Sequence, residues 1–198
     1  MFSRPTITGT SCVSRRTNSL PSSLLIKTFY SELRDDIVLV GAVNNISFTF
    51  PSFNPLTQPE NVVDSVFCDA YNLPASCTGS KVCQCVHRLK VKKDAIVELI
   101  IVDETPAVGT LNHPFHLHGY ELFVVGMGQH PDKLPMTLQL ARQMMRARSF
   151  NQNPYAQRPI KDTISIPSKG YTVFRFKADN PGWWLLHCHY GKHRMDNF

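Results

Sequence analysis

The chain has 198 residues, 42% hydrophobic and 18% charged, which is about one domain with enough apolar sequence to bury a core. This composition excludes a disordered tail, a collagen-like fibre and a multi-span membrane protein, and no window approaches the roughly 18 consecutive apolar residues of a membrane helix. Twenty-one Lys and Arg against 15 Asp and Glu give a net charge of +6, scattered as at Arg15, Arg16, Lys90, Lys92 and Lys93, so a solvated basic surface is expected rather than a nucleic-acid groove.

Residues 1–35 begin Met1-Phe2-Ser3-Arg4 and run through Ser, Thr and Arg to Arg16. They show no period and read as a loosely specified lead-in. Leu24-Leu25-Ile26 is too short for a signal-peptide core, so no secretion signal is expected in this chain. From Asp36 onward, short β-rich runs alternate with turn residues. Ile37–Val40 and Ile46–Phe50 read as strands and Pro51–Ser80 as a long loop. Strands resume at Val86–Val91, Ala95–Val102 and Tyr120–Gly126. The segment Lys133–Ser149, with Leu134, Leu138, Ala141 and Met145, is expected to hold a helical turn or two. Asp162–Ile166, Tyr171–Ala178 and Trp183–Cys188 complete the strands, the last two joined by the turn Asp179-Asn180-Pro181-Gly182. Seven or eight such strands predict an all-β antiparallel sandwich or barrel over residues 36–198.

Four of the six cysteines, Cys68, Cys77, Cys83 and Cys85, fall within a Cys-rich loop at 51–85. Two disulfides among them are expected, with three connectivities open. A zinc site is the competing reading, although Cys83-Gln84-Cys85 lacks the usual two-to-four-residue spacer. Cys12 has no obvious partner.

Six of the eight histidines are packed into two segments. His113-Pro114-Phe115-His116-Leu117-His118-Gly119 lies just before a strand, and His187-Cys188-His189-Tyr190-Gly191-Lys192-His193 ends one. In extended chain, side chains alternate faces, so His116 and His118 point one way together, as do His187 and His189. Cys188 then points to the side opposite its two neighbours. One strand thereby supplies imidazoles to one centre and a thiolate to another, with His113 and His193 free to curl towards Cys188. Two imidazoles and a thiolate are the ligand set of a blue copper site, whose axial position is weak or empty. Ten residues beyond Cys188 stands Phe198, which cannot coordinate. An apolar axial neighbour disfavours the more charged Cu(II) and is expected to raise the reduction potential. The other four histidines form a second group suited to oxygen-binding coppers, one residue from Cys188 in the chain. Zinc is the rival metal for such a cluster. His87, on a strand, and His130, in a turn beside Pro131, read as ordinary histidines.

At these residues the sequence resembles the multicopper oxidases, and in particular the C-terminal cupredoxin domain of insect-type laccases. The resemblance covers roughly residues 40–193. It is carried by Cys83-Gln84-Cys85-Val86-His87, Val102-Asp103-Glu104, His113–Tyr120, Lys161-Asp162-Thr163, and Ala178-Asp179-Asn180-Pro181-Gly182 before Trp183 and Trp184. It implies a cupredoxin-like Greek-key β-sandwich or barrel with copper as cofactor. It implies that His113, Cys188 and His193 hold type 1 copper, that His116 goes to type 2 copper, and that His118, His187 and His189 go to the type 3 pair.

The implied activity is one-electron oxidation of phenols (diphenols) with reduction of dioxygen to water, in an extracellular enzyme. The family builds its trinuclear site from both ends of a three-domain chain, so four ligands are expected here and four from N-terminal cupredoxin domains. After His193 the family continues with an apolar strand, where this chain reads Arg194-Met195-Asp196-Asn197-Phe198 and stops. The expectation is a C-terminal fragment lacking the end of its cupredoxin, with a complete type 1 site. The alternatives are a lone electron-transfer cupredoxin, an inactive fragment with an exposed sheet edge, or part of a multicopper ferroxidase.

Overall fold

The computed structural model describes residues 6–8, 22–32, 39–69, 71–78, 83–105, 111–130, 132, 134, 136–154 and 157–189. Cys12, residues 190–192, His193 and Phe198 lie outside them. The described residues form β1 (Thr6–Thr8), β2 (Ser22–Glu32), β3 (Leu39–Val43), β4 (Ile46–Phe48), β5 (Phe67–Cys68), β6 (Cys83–Lys90), β7 (Ile96–Asp103), β8 (His113–Leu117) and β9 (Leu122–Gln129). Helix α1 (Leu138–Ala147) follows, then β10 (Ile160–Lys161), β11 (Thr163–Ile166), β12 (Gly170–Lys177) and β13 (Trp183–Cys188).

Strands pair in the order β10-β9-β12-β7-β2-β3-β4-β6-β1-β13-β8-β11, with β5 beside β6. The β9, β12 and β7 end and the β13, β8 and β11 end share one apolar core. Val97, Leu99 and Ile101 of β7, Leu122 and Val124 of β9, and Phe174 and Phe176 of β12 meet Phe115 and Leu117 of β8, Ile164 and Ile166 of β11, and Leu186 of β13. The intervening residues Ile100, Val102, Val125, Tyr171 and Val173 face the other way, against Ala141 of α1 and Met136. β7 is therefore apolar on both faces, which is why Ile96–Val102 reads as an almost unbroken hydrophobic run.

The expected strands from Ile46 onward recur with shifted ends. The lead-in differs from expectation, since β1 and β2 form within residues 1–35. β2 runs parallel to β7 from Ser22 opposite Val97 to Thr28 opposite Asp103, and β1 lies between β6 and β13. Backbone pairing with partners so distant in sequence leaves no local periodic mark. Residues 113–117, expected just before a strand, are themselves β8, although Pro114 is a residue that argues against a strand interior.

The helix is ten residues long rather than a turn or two. Thr137 caps it, its hydroxyl accepting from the Leu140 amide at 3.1 Å, and Arg148 ends it in the left-handed conformation. Thr137→Ala is expected to lower stability by about 1 kcal/mol through loss of this cap. Denaturant unfolding measures that loss, and an unchanged midpoint contradicts it.

The cysteine pairing is Cys68–Cys85 and Cys77–Cys83. β5 runs parallel to β6 with Cys68 opposite His87, one pleat from Cys85 on the same face of β6. The four sulfurs are consumed in these bonds, which sets the zinc reading of this loop aside.

Candidate metal centre

β8 and β13 are antiparallel neighbours, with Leu186 opposite Leu117, His187 opposite His116, and Cys188 opposite Phe115. The ladder extends beyond the strand ends, because the His189 amide donates to the Pro114 carbonyl and the His118 amide to the Leu185 carbonyl. Side-chain alternation then divides the pair of strands into two faces. Phe115, Leu117 and Leu186 enter the core, and Cys188 packs against it. His116, His118, His187 and His189 gather on the outer face. Their ring centroids lie 4.6 Å apart for His116–His118, 5.3 Å for His118–His187, 5.6 Å for His187–His189 and 5.9 Å for His116–His189.

The ring nitrogens are sorted by their neighbours. His116 Nδ1 lies 2.8 Å from the Asp162 carbonyl oxygen, which only accepts, so Nδ1 carries the hydrogen and Nε2 keeps its lone pair. The Thr163 hydroxyl lies 3.1 Å from the same nitrogen. His187 Nδ1 likewise donates to the Cys188 carbonyl at 2.9 Å. Its Nε2 meets His118 Nε2 at 3.1 Å. Burial holds the His187 pKa below its ordinary value, helped by the neighbouring imidazoles His118, His116 and His189 and opposed by the Cys188 carbonyl. The ring is therefore kept neutral, the form that binds metal.

On the core side, His113 is buried, and that burial lowers its pKa against the influence of Asp103. Cys188 is half-buried and is the described cysteine outside a disulfide. Two turns hold this arrangement at its end. Gly119 has φ +75°, and a Cβ there would sit 2.6 Å from the Trp184 ring. Trp184 Nε1 and the Tyr120 hydroxyl both donate to the Asn180 carbonyl, while Asn180 Nδ2 donates to the Gly119 carbonyl.

Of the expected site residues, the fold brings together His116, His118, His187 and His189 on one face and puts Cys188 on the other. His113 sits on the core-facing side of β8, two residues from Phe115, the partner of Cys188. His193 and Phe198 lie outside the described residues. His87 is on β6 and His130 follows β9, accepting from the Asp132 amide; both stand apart from the cluster. Sequence reasoning missed what orients His116, although Lys161-Asp162-Thr163 was a visible signal: its backbone carbonyl and hydroxyl close on the ring. Among the described residues no three His, Cys, Asp or Glu side chains form a finished metal cage. The donor chemistry nonetheless fits copper: four clustered imidazoles, two of which (His116 and His187) give their Nδ1 hydrogens to carbonyls and so keep Nε2 as the donor nitrogen, and a thiol one residue away on the opposite face.

A family model described as multicopper oxidase matches residues 52–198. The chain is 31% identical over 168 residues to Laccase-12 of Arabidopsis thaliana, covering 77% of this chain and 27% of that protein. It is 40% identical over 107 residues to Laccase-2 of Oryza sativa subsp. japonica, covering 52% and 16%. The chain thus spans about a quarter of the length of the curated relatives it matches. Among solved structures, it is similar to the laccase from Botrytis aclada, with a TM-score of 0.56 at 23% identity over 89% of this chain and 27% of that one. Fet3p, a multicopper oxidase that functions in iron import, gives a TM-score of 0.51 at 24% identity over 89% and 30%. These likenesses establish the all-β cupredoxin fold.

Proposed function

Because the chain belongs to the multicopper oxidase family, we propose that it is the C-terminal, type 1 copper domain of a laccase-type oxidoreductase. In this reading it draws electrons singly from phenolic substrates and passes them on for reduction of dioxygen to water. The observation that carries the reading is the two-faced β8–β13 pair, with four imidazoles on one side and Cys188 on the other. His113, Cys188 and His193 would hold type 1 copper, with Phe198 as the non-coordinating axial neighbour. His116 would serve type 2 copper, and His118, His187 and His189 the type 3 pair. Copper, when bound, supplies one-electron redox chemistry at the first centre and dioxygen reduction at the second.

The chain's own residues define the route between the two faces. Cys188 is covalently adjacent to His187 and His189, so a single peptide unit separates the thiolate from either outer imidazole. The hydrogen bond from His187 Nδ1 to the Cys188 carbonyl ties the His187 ring to the peptide unit that leads from Cys188 to His189. Asp162 and Thr163 fix the His116 ring, and β8 and β13 hold all four rings in register.

Four imidazoles make half of the ligand set a trinuclear centre requires, so the remaining four are assigned to N-terminal cupredoxin domains of the complete enzyme. The domain division at residue 36 is part of this proposal, with β1 and β2 as added strands. An extracellular location accords with two disulfides, which persist in oxidising compartments. No helix among the described residues is long and apolar enough to cross a membrane. Phenols are favoured as substrates because the sequence relatives are named laccases. The insect-type character rests on the residue patterns given above.

Copper loading of the chain tests the reading. An intense blue band is expected, with no dioxygen uptake by the isolated chain. Uptake driven by a diphenol is expected once the upstream domains are joined to it. Absence of the blue band defeats the type 1 assignment; uptake with ferrous iron and not with diphenol overturns the laccase reading.

A further inference from the structure

The end of β7 touches the proposed site in a way the copper ligands alone do not explain. Asp103, 1% exposed, is held by three donors. Its Oδ1 accepts from the Thr105 amide at 3.0 Å and from the Thr105 hydroxyl, and its Oδ2 accepts from the Lys169 amide at 2.8 Å. Lys169 has φ +55° in the turn between β11 and β12. The preceding residue of that turn, Ser168, donates its amide to Asn112 Oδ1 at 3.0 Å. One turn is therefore clamped by Asp103 and by the residue next to His113. The buried His113 ring presents Nε2 to Asp103 Oδ1 at 3.9 Å.

We propose that Asp103 is a positioning residue for His113, holding the hydrogen of the ring on Nε2 and leaving Nδ1 as the nitrogen that faces metal. At 3.9 Å the approach is longer than a hydrogen bond and acts through charge. A carboxylate fixed by three donors cannot turn away, and a hydrogen on Nε2 meets its negative oxygen favourably where a lone pair would be repelled. A carboxylate behind a ligating imidazole also makes the ring a stronger donor. Its buried negative charge favours the more charged Cu(II) and lowers the reduction potential, opposing the effect of a phenylalanine in the axial position. The redox part of this inference rests on the assignment of His113 to type 1 copper; the tautomer part does not.

Two measurements test it. Nitrogen-15 NMR of the metal-free chain is expected to show neutral His113 with its hydrogen on Nε2; a hydrogen on Nδ1 overturns the proposal, and no variant has to fold. In the copper-loaded chain, Asp103→Asn is expected to keep the blue band and shift the copper balance about tenfold towards Cu(I), roughly 59 mV for one electron. Asp103→Glu, which restores the charge, is expected to reverse most of that shift. Equal potentials for the wild type and Asp103→Asn also overturn it. A wild-type chain that never turns blue defeats the functional reading instead, and leaves the NMR result to judge Asp103.

Discussion

Replacing Cys188 with serine in the copper-loaded chain is expected to abolish the visible band and remove one equivalent of bound copper, leaving the fold in place. The intense absorption of a blue site belongs to its thiolate, and among the described residues Cys188 is the cysteine outside a disulfide. Serine is close to cysteine in size but supplies a hard, protonated oxygen where copper of this type selects a soft, deprotonated sulfur. Affinity at that face is expected to fall by roughly a hundredfold or more, beyond the usual effect of losing a mere supporting residue. The structural cost is small, because the side chain is half-buried at the rim of the core, and exchanging it for a hydroxyl there costs about 1 kcal/mol. His116→Ala supplies the opposite case. Its ring lies on the outer face, so the blue band is expected to persist while copper is lost from the imidazole cluster. Visible absorption with copper counting separates the outcomes, and a blue Cys188→Ser protein rules out the assignment.

That contrast between faces was legible in the sequence because it depends only on strand alternation. Once His116, Leu117 and His118, or His187, Cys188 and His189, are extended, the two-residue period fixes which side chains share a side. What alternation cannot supply is the neighbour across the sheet. That His187 falls opposite His116, and not opposite His118, is a matter of register. The role of Thr163 and of the Asp162 carbonyl follows from β11 pairing with the other edge of β8, 46 residues away in the chain. The disulfide pairing was hidden for the same reason: three connectivities satisfy the spacing, and the β5–β6 register selects Cys68 with Cys85. β1 and β2 escaped because their strand character comes from docking onto β6, β13 and β7, and not from a pattern of their own. Local signals thus gave the donors and their faces, while long-range pairing gave the groups that orient them.

The same limit applies to His87, whose place on a strand was evident and whose surroundings were not. It is fully buried on β6, and neither ring nitrogen has a hydrogen-bond partner among the described residues. Burial holds its pKa at about 4 against the ordinary 6.5, with the Asp69 charge opposing. The folded chain therefore keeps this ring neutral, while the unfolded chain protonates it as pH falls through 6.5. Between pH 6.5 and 4 the unfolded state binds more protons, so stability falls as pH is lowered, and below 4 no further loss comes from this group. The full penalty is about 3 kcal/mol, of which about 2 kcal/mol is incurred between pH 7 and pH 5. His87→Leu removes a ring with two unsatisfied nitrogens and introduces an apolar side chain of similar size, so stability at pH 7 is expected to hold or rise. The variant is also expected to lose about 2 kcal/mol less than the wild type on going from pH 7 to pH 5. The remaining histidines are common to both proteins and cancel in that difference. Urea unfolding of the two proteins at both pH values measures it, and an equal acid loss in both removes His87 as the source.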